Sequence, residues 1–225
     1  MISHEHQCIF IHIPKCAGTS IERTFGHSQS NSKRRSQDHR SLRMIENPIP
    51  MSFDLLQRGN AFELLKRIKY SYRKHVNSNN SFTVPPEQFK NYYKFSFVRN
   101  PWARTYSWYK NVIRDQVQQS NLGVTAEISL ADFVKKFVGK GMLKRQTYWL
   151  ENFQGNLDID FIGRFENLGD DFRTVANSLG KPELRLPHEI KGSNHDYRTA
   201  YATQTIELVA QFYSNEIQQF GYEFD

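Results

Sequence analysis

Cysteine is scarce: Cys8 and Cys16 are the two in 225 residues. A disulfide framework of the kind that holds small secreted domains together needs more, so the compartment is reducing or indifferent to redox state. Glycine (12) and proline (8) are few as well, which excludes collagen-like and low-complexity chains. No run approaches the ~20 apolar residues of a membrane span. The opening MISHEHQCIFIHIPK lacks the basic start and longer apolar centre of a signal peptide. These absences lead us to expect a cytoplasmic chain with no membrane span, unless it is the truncated lumenal part of an anchored protein.

What remains is the material of a packed core. Hydrophobic residues make up 38% and aromatics 14% of the chain, and the length suits one domain, 1–225. Thirty Lys and Arg against 23 Asp and Glu give a net charge of +7, which favours anionic ligands: nucleotides, nucleic acid or acidic glycans. The basic segments Lys33 to Arg43 and Lys66 to Lys74 read either as solvated surface or as a track for an acidic polysaccharide. Nucleic acid is disfavoured, because the only aromatics there, Tyr70 and Tyr72, form no stacking pattern.

Cys8 to Ile13 (CIFIHI) reads as a buried parallel strand stopped by Pro14, with a helix opening after Gly18, Thr19 and Ser20. Gly26 to Arg43 is Ser-rich and basic, an exposed loop. A helix with an apolar stripe through Phe62, Leu65 and Ile68 is expected from about Ala61. Tyr93 to Val98 (YKFSFV) is a second strand, followed by a helical face of Trp102, Tyr106, Tyr109 and Ile113. Ser129 and Asp132 form a capping box before Phe133. Ile159 to Phe165 is the third strand, with a helix through Leu168, Phe172, Val175 and Leu179 behind it. One amphipathic helix runs from Ile206 to Phe220 and stops at Gly221. Strands alternating with helices predict an α/β fold: a single domain with a mainly parallel central sheet flanked by helices.

Two constellations carry chemistry, each where a strand becomes a helix. Pro14-Lys15-Cys16-Ala17-Gly18-Thr19-Ser20 offers backbone N–H groups, a lysine and two hydroxyls to a phosphate or sulfate. It departs from the nucleoside-triphosphate loop, because Thr19 stands where that loop has its lysine. The bland alternative is a β-to-α turn with a solvated Lys15. In the second, Phe97 to Tyr109 (FVRNPWARTYSWY), Arg99 and Ser107 can meet one phosphate as charged fork and hydroxyl donor. Arg104 is as readily a structural ion-pair partner.

Together the two segments resemble the sulfotransferases: IFIHIPKCAGTS is similar to their 5′-phosphosulfate loop and FSFVRNPWARTYSWY to their 3′-phosphate strand and helix. FIGRFENLGDDF (161–172) and HDYRTAYATQTIELVAQFYSNEIQQFGYEF (195–224) resemble the branch of Golgi carbohydrate sulfotransferases and their bacterial relatives. The resemblance implies a P-loop-like sulfotransferase fold. It also implies 3′-phosphoadenosine-5′-phosphosulfate (PAPS) as donor, adenosine 3′,5′-bisphosphate as product, no metal, and a carbohydrate or other hydroxyl, acidic in some cases, as acceptor. Carried over position by position, Lys15, Cys16, Ala17, Gly18, Thr19 and Ser20 belong to the 5′-phosphosulfate, and Arg99 and Ser107 to the 3′-phosphate. Lys191, in a polar loop flanked by His188 and His195, is a further candidate phosphate contact.

In-line sulfuryl transfer wants a cation where charge grows on the departing phosphate and a base at the acceptor hydroxyl. Lys15 is the expected cation. His39, in Asp38-His39-Arg40, stands where relatives carry a histidine and is the expected base, with Glu22 as the alternative. His12 reads as a core histidine, and Arg164 with Glu166 as either a buried pair or residues facing the adenine. Two other classes stay open: a non-catalytic protein that binds PAPS or a polyanion, and a kinase-like enzyme using Mg²⁺ and a nucleoside triphosphate. The acceptor and the oligomeric state are not legible.

Overall fold

The computed structural model describes residues 1–27, 37–46, 59–72, 82–187 and 196–225. The chain divides into two compact units. One comprises Met1–Ile13, Ala17–Val98 and Thr147–Ile190, and the other Pro14–Cys16, Arg99–Gln146 and Lys191–Asp225.

The first unit is built on a four-stranded sheet in the order β1-β2-β3-β4, with β1 at Ile2–Ser3, β2 at Cys8–Ile11, β3 at Tyr93–Val98 and β4 at Phe161–Arg164. β2, β3 and β4 are parallel, and β1 pairs antiparallel to β2. Continuous apolar strands of this kind are what a sheet covered on both faces requires. The register sets Phe10 beside Phe95, ring centroids 5.1 Å apart. Fully burying each such side chain contributes about 1.5–3 kcal/mol. β1 has two residues, too short for any periodicity to announce it. Among the described residues no helix is long and apolar enough to cross a membrane.

Helices α1 (Gly18–Thr24), α2 (Leu42–Ile45), α3 (Asn60–Ser71) and α4 (Pro86–Asn91) lie between β2 and β3 in the chain. α3 corrects the sequence reading. Its apolar stripe points outward, with Phe62 54%, Leu65 66% and Ile68 55% exposed, while Asn60, Glu63 and Arg67 are buried. The cause is a polar interior. Glu63 accepts from Ser41, from the Tyr148 hydroxyl and from Lys66 at 3.0 Å. Arg43 donates to Asn60 Oδ1 at 2.9 Å and to the Tyr148 carbonyl at 2.9 Å, and Arg67 donates to the carbonyls of Arg43 and Glu46. The stretch expected as an exposed basic loop is equally changed where it is described. Arg40 and Arg43 are buried, Arg40 pairing with Asp38 at 2.5 Å. Neither they nor Arg67 belong to a surface track for a polyanion.

In the second unit, Asn100 accepts from the N–H groups of Trp102 and Ala103 and so opens α5 (Pro101–Val112), with proline in its first turn. α6 (Gln116–Leu122) follows, and Ser129 accepts from Asp132 N at 3.1 Å to start α7 (Leu130–Phe137), as the capping box predicts. After α8 (Thr147–Leu150) and α9 (Leu168–Ser178) of the first unit, the chain ends in α10 (Thr203–Phe212) and α11 (Ser214–Phe220). Trp102, Leu130, Val134, Tyr201, Val209 and Tyr213 form one core of this unit. The single terminal helix expected from 206 to 220 is thus two. The break falls at Tyr213 (φ −98°, ψ 16°), which is wholly buried and donates its hydroxyl to the Leu143 carbonyl. A buried phenol needs such a partner, and meeting it takes the residue out of helical geometry.

The inside-out packing of α3 is testable by urea unfolding. Glu63→Ala leaves buried donors unmatched and should cost about 3 kcal/mol, whereas Leu65→Ser on the exposed face should stay within about 0.5 kcal/mol. The reverse ranking would return Leu65 to the core.

Candidate functional site

The loop from Pro14 to Ala17 holds an unusual backbone. Lys15 (φ 70°) and Ala17 (φ 64°) both lie in the left-handed region, although neither is glycine. Each such residue costs about 1–2 kcal/mol and persists only where its surroundings enforce it. Ala17 also provides no capping side chain for α1; the Ser20 amide donates to the Ala17 carbonyl at 3.0 Å, and the amides of Gly18 and Thr19 are the ones an anion could take.

In the first unit, Gly18 is required by His12. A β-carbon at 18 would sit 1.9 Å from His12 Cδ2, far inside contact distance. His12 is buried, as expected, and donates from Nδ1 to Glu22 Oε1 at 2.8 Å. Glu22 Oε1 also accepts from Asp38 N at 3.1 Å. Burial alone would raise the Glu22 carboxyl, but the bond and charge of His12 hold it below its ordinary value. Glu22 is therefore a buried partner of His12 and not a loose carboxylate at a helix start.

His39 packs on the His12 ring, centroids 4.1 Å apart, with Nδ1 3.1 Å from the His12 carbonyl. A carbonyl only accepts, so Nδ1 carries the proton and Nε2 keeps its lone pair. Gln37 lies 3.2 Å from that Nε2 and 2.7 Å from Thr19 Oγ1. The consistent assignment has the Gln37 amide donating to His39 Nε2 and accepting from the Thr19 hydroxyl. Burial, then the neighbouring His12, pushes the His39 imidazole down to about 3. The ring is neutral throughout the physiological range. His39 is half-buried and held on both nitrogens, which corrects its reading as an exposed loop residue.

In the second unit, burial and then the Arg99 charge lower the Lys15 ammonium below its ordinary value, and among the described residues no acidic side chain pairs with it. Arg99 Nη1 donates to the Lys15 carbonyl at 3.2 Å. The buried thiol of Cys16 donates to Gln146 Oε1 at 3.5 Å. Arg104 is fully buried and donates to the carbonyls of Pro14 (3.1 Å), Lys144 (3.0 Å) and Met142 (2.6 Å). It holds the loop through the Pro14 carbonyl. Ser107 is half-exposed on α5.

Lys191, His188 and His195 lie outside the described residues. Arg164 and Glu166 are exposed, which excludes the buried pair; the Arg164 N–H donates to Asp171 Oδ2 at 2.6 Å. Sequence reasoning missed Gln37, Gln146 and Glu216. A glutamine or glutamate outside any motif gives no signal until its burial is known.

Residues 1–223 match the sulfotransferase family, and the chain belongs to it. Carbohydrate sulfotransferase 11 of Danio rerio is 22% identical over 96% of this chain and 60% of its own length. Carbohydrate sulfotransferase 14 of Danio rerio is 22% identical over 62% of this chain and 47% of its own. An uncharacterized protein of Archaeoglobus fulgidus is 32% identical over 44% of this chain and 78% of its own. The chain thus spans about half to three-fifths of the two curated sulfotransferases it matches. No solved structure matches it significantly.

The histidines make the fold acid-sensitive in a defined window. Burial pushes His39 down from 6.5 to about 3 and His27 from 6.5 to about 4. Below pH 6.5 the unfolded chain takes up protons that the folded one refuses, so stability is full above that value and falls as pH drops towards 4 and then 3. Thermal midpoints should decline between pH 6.5 and 5, above the range where carboxylates titrate, and His39→Gln should flatten that decline. A level midpoint across the window would refute it.

Proposed function

We propose that this chain transfers the sulfuryl group of PAPS to a hydroxyl of a carbohydrate, releasing adenosine 3′,5′-bisphosphate. The observation that carries the reading is the loop of 14–20, in which a strained backbone, an uncapped helix start and a lysine that has no acidic partner among the described residues stand in the segment most similar to the family's 5′-phosphosulfate loop. These features fit an anion with charge at its 5′ end. The match over 1–223 supports treating the chain as one functional domain, and the names of the two Danio rerio relatives support a carbohydrate acceptor.

The roles follow residue by residue from the resemblance. Backbone N–H groups of Cys16, Ala17, Gly18 and Thr19 and the hydroxyls of Thr19 and Ser20 hold the phosphosulfate. Arg99 and Ser107 hold the 3′-phosphate; Lys191, which the polar loop and not the resemblance suggests, is a further candidate contact. In the transfer, the acceptor oxygen forms a bond to sulfur as the bond from sulfur to the bridging phosphate oxygen breaks. The hydroxyl proton passes to His39 Nε2, the nitrogen left unprotonated by the bond to the His12 carbonyl, once the acceptor displaces Gln37. Charge growing on the departing phosphate meets the Lys15 ammonium.

Incubation with sulfur-labelled PAPS and a panel of glycans should yield labelled product and equimolar adenosine 3′,5′-bisphosphate. Lys15→Ala should lower kcat by about 10² or more, beyond its effect on binding of the desulfated nucleotide. Binding of PAPS without turnover on any glycan would favour a non-catalytic protein, and normal turnover of the lysine variant would remove Lys15 from the chemistry.

For the base, His39→Ala should lose about 10² to 10⁴ in kcat while nucleotide affinity is kept. Because the imidazole titrates at about 3, kcat/KM should show no histidine limb between pH 5 and 8. An acid limb near 6.5 that disappears in His39→Ala would contradict the half-buried, neutral histidine described above.

A further inference from the structure

A glutamine outside both anion-binding motifs holds the backbone that carries Arg99. Gln146 is fully buried, and its side-chain amide lies edge to edge with the Arg99 peptide groups. Arg99 N–H donates to Gln146 Oε1 at 2.8 Å, and Gln146 Nε2 donates to the Arg99 carbonyl at 2.9 Å. This imitates a rung of sheet pairing one residue past the end of β3, and the polarity of the backbone fixes which way the amide faces.

The remaining capacity of the amide is filled as well. Oε1 accepts the Cys16 thiol at 3.5 Å, and Nε2 donates its second hydrogen to Glu216 Oε1 at 3.2 Å. Glu216 Oε2 accepts the backbone N–H of Gln146 itself at 2.6 Å. Glu216 is 1% exposed. Burial raises its carboxyl, against the opposing effects of Arg104 and of the two bonds from Gln146. A buried amide with every position used has one orientation, so whatever leans on it inherits that precision.

We propose that Gln146, held by Glu216, is a positioning residue: it sets the Arg99 backbone so that the guanidinium can recognise a 3′-phosphate. This rests on the reading of Arg99 given above. Bidentate recognition by arginine depends on the angle of the fork as well as on its charge, and side-chain freedom alone does not restore an angle once the backbone beneath it shifts. A purely structural role would weaken all ligands together, whereas a positioning role weakens selectively the ligand that has a 3′-phosphate.

The test is calorimetry on the full chain with adenosine 3′,5′-bisphosphate and adenosine 5′-monophosphate. Wild type should prefer the bisphosphate by about tenfold or more. Gln146→Met, close in shape but without hydrogen bonds, should lose most of that preference while affinity for the monophosphate changes by less than about threefold. Hydrogen exchange of the Arg99 amide should quicken in the same variant. Glu216→Gln should lose a smaller part of the preference, and it decides the matter if Gln146→Met does not unfold cooperatively. A folded variant that keeps the wild-type preference, or that weakens both nucleotides alike, overturns the proposal. Equal affinities in the wild type would instead overturn the role of Arg99, and the positioning role with it.

Discussion

The ring of His12 occupies the volume that any side chain at position 18 would need, and much of the first unit is arranged around that contact. With a β-carbon excluded, the backbone of Gly18 approaches the imidazole closely and α1 can begin there. The same histidine donates to Glu22 in α1 and offers its carbonyl to His39. One residue just past the end of β2 therefore ties together a strand end, a helix start and the segment that carries the candidate base. Removing either member of the buried His12 and Glu22 pair would strand the other's polar group away from water, at a cost of several kcal/mol. The arrangement is coupled, since a change at Gly18 reaches His39 through His12.

The net positive charge is also less available than its total suggests. Arg40, Arg43 and Arg67 lie inside the first unit, each with donors on backbone carbonyls or carboxylates. Arg104 does the same in the second. Guanidinium groups suit this work because their fork of donors can satisfy several carbonyls at once and remain charged when desolvated. Long-range attraction for an anionic ligand comes from the whole charge distribution, but specific contacts must come from cations whose donors are not already committed. The Lys15 ammonium is one: among the described residues no acidic side chain pairs with it, and burial, then the neighbouring Arg99 charge, lowers its proton affinity.

How much of this could be read beforehand follows the range of each signal. β3 matches its expected bounds of 93 to 98, and the Ser129 cap forms as its spacing predicts, because both depend on a few adjacent residues. The two candidate anion-binding segments stand out as motifs for the same reason. α3 was misread in orientation because a hydrophobic stripe indicates which residues share a face and not which face turns inward. There the buried partner is a carboxylate that collects two donors from distant positions, Ser41 and Tyr148, besides Lys66 one turn along. The break at Tyr213 and the roles of Gln37, Gln146 and Glu216 depend likewise on contacts far apart in sequence, which no local pattern encodes.

The two helix starts next to the anion motifs differ in a way that bears on division of labour. At α1 no side chain caps the first turn, and the backbone N–H groups of Gly18 and Thr19 face an anion with the dipole behind them. At α5 Asn100 already takes the amides of Trp102 and Ala103. An anion near that second start would have to be held by side chains, which is consistent with the roles proposed for Arg99 and Ser107. The difference suits the chemistry proposed for each end of the nucleotide. A charge that grows and moves during transfer is well served by several amides and a flexible lysine, whose ammonium can follow it. A phosphate that does not react is better gripped by a planar fork in one fixed geometry, and a fork is only as selective as the backbone beneath it is still.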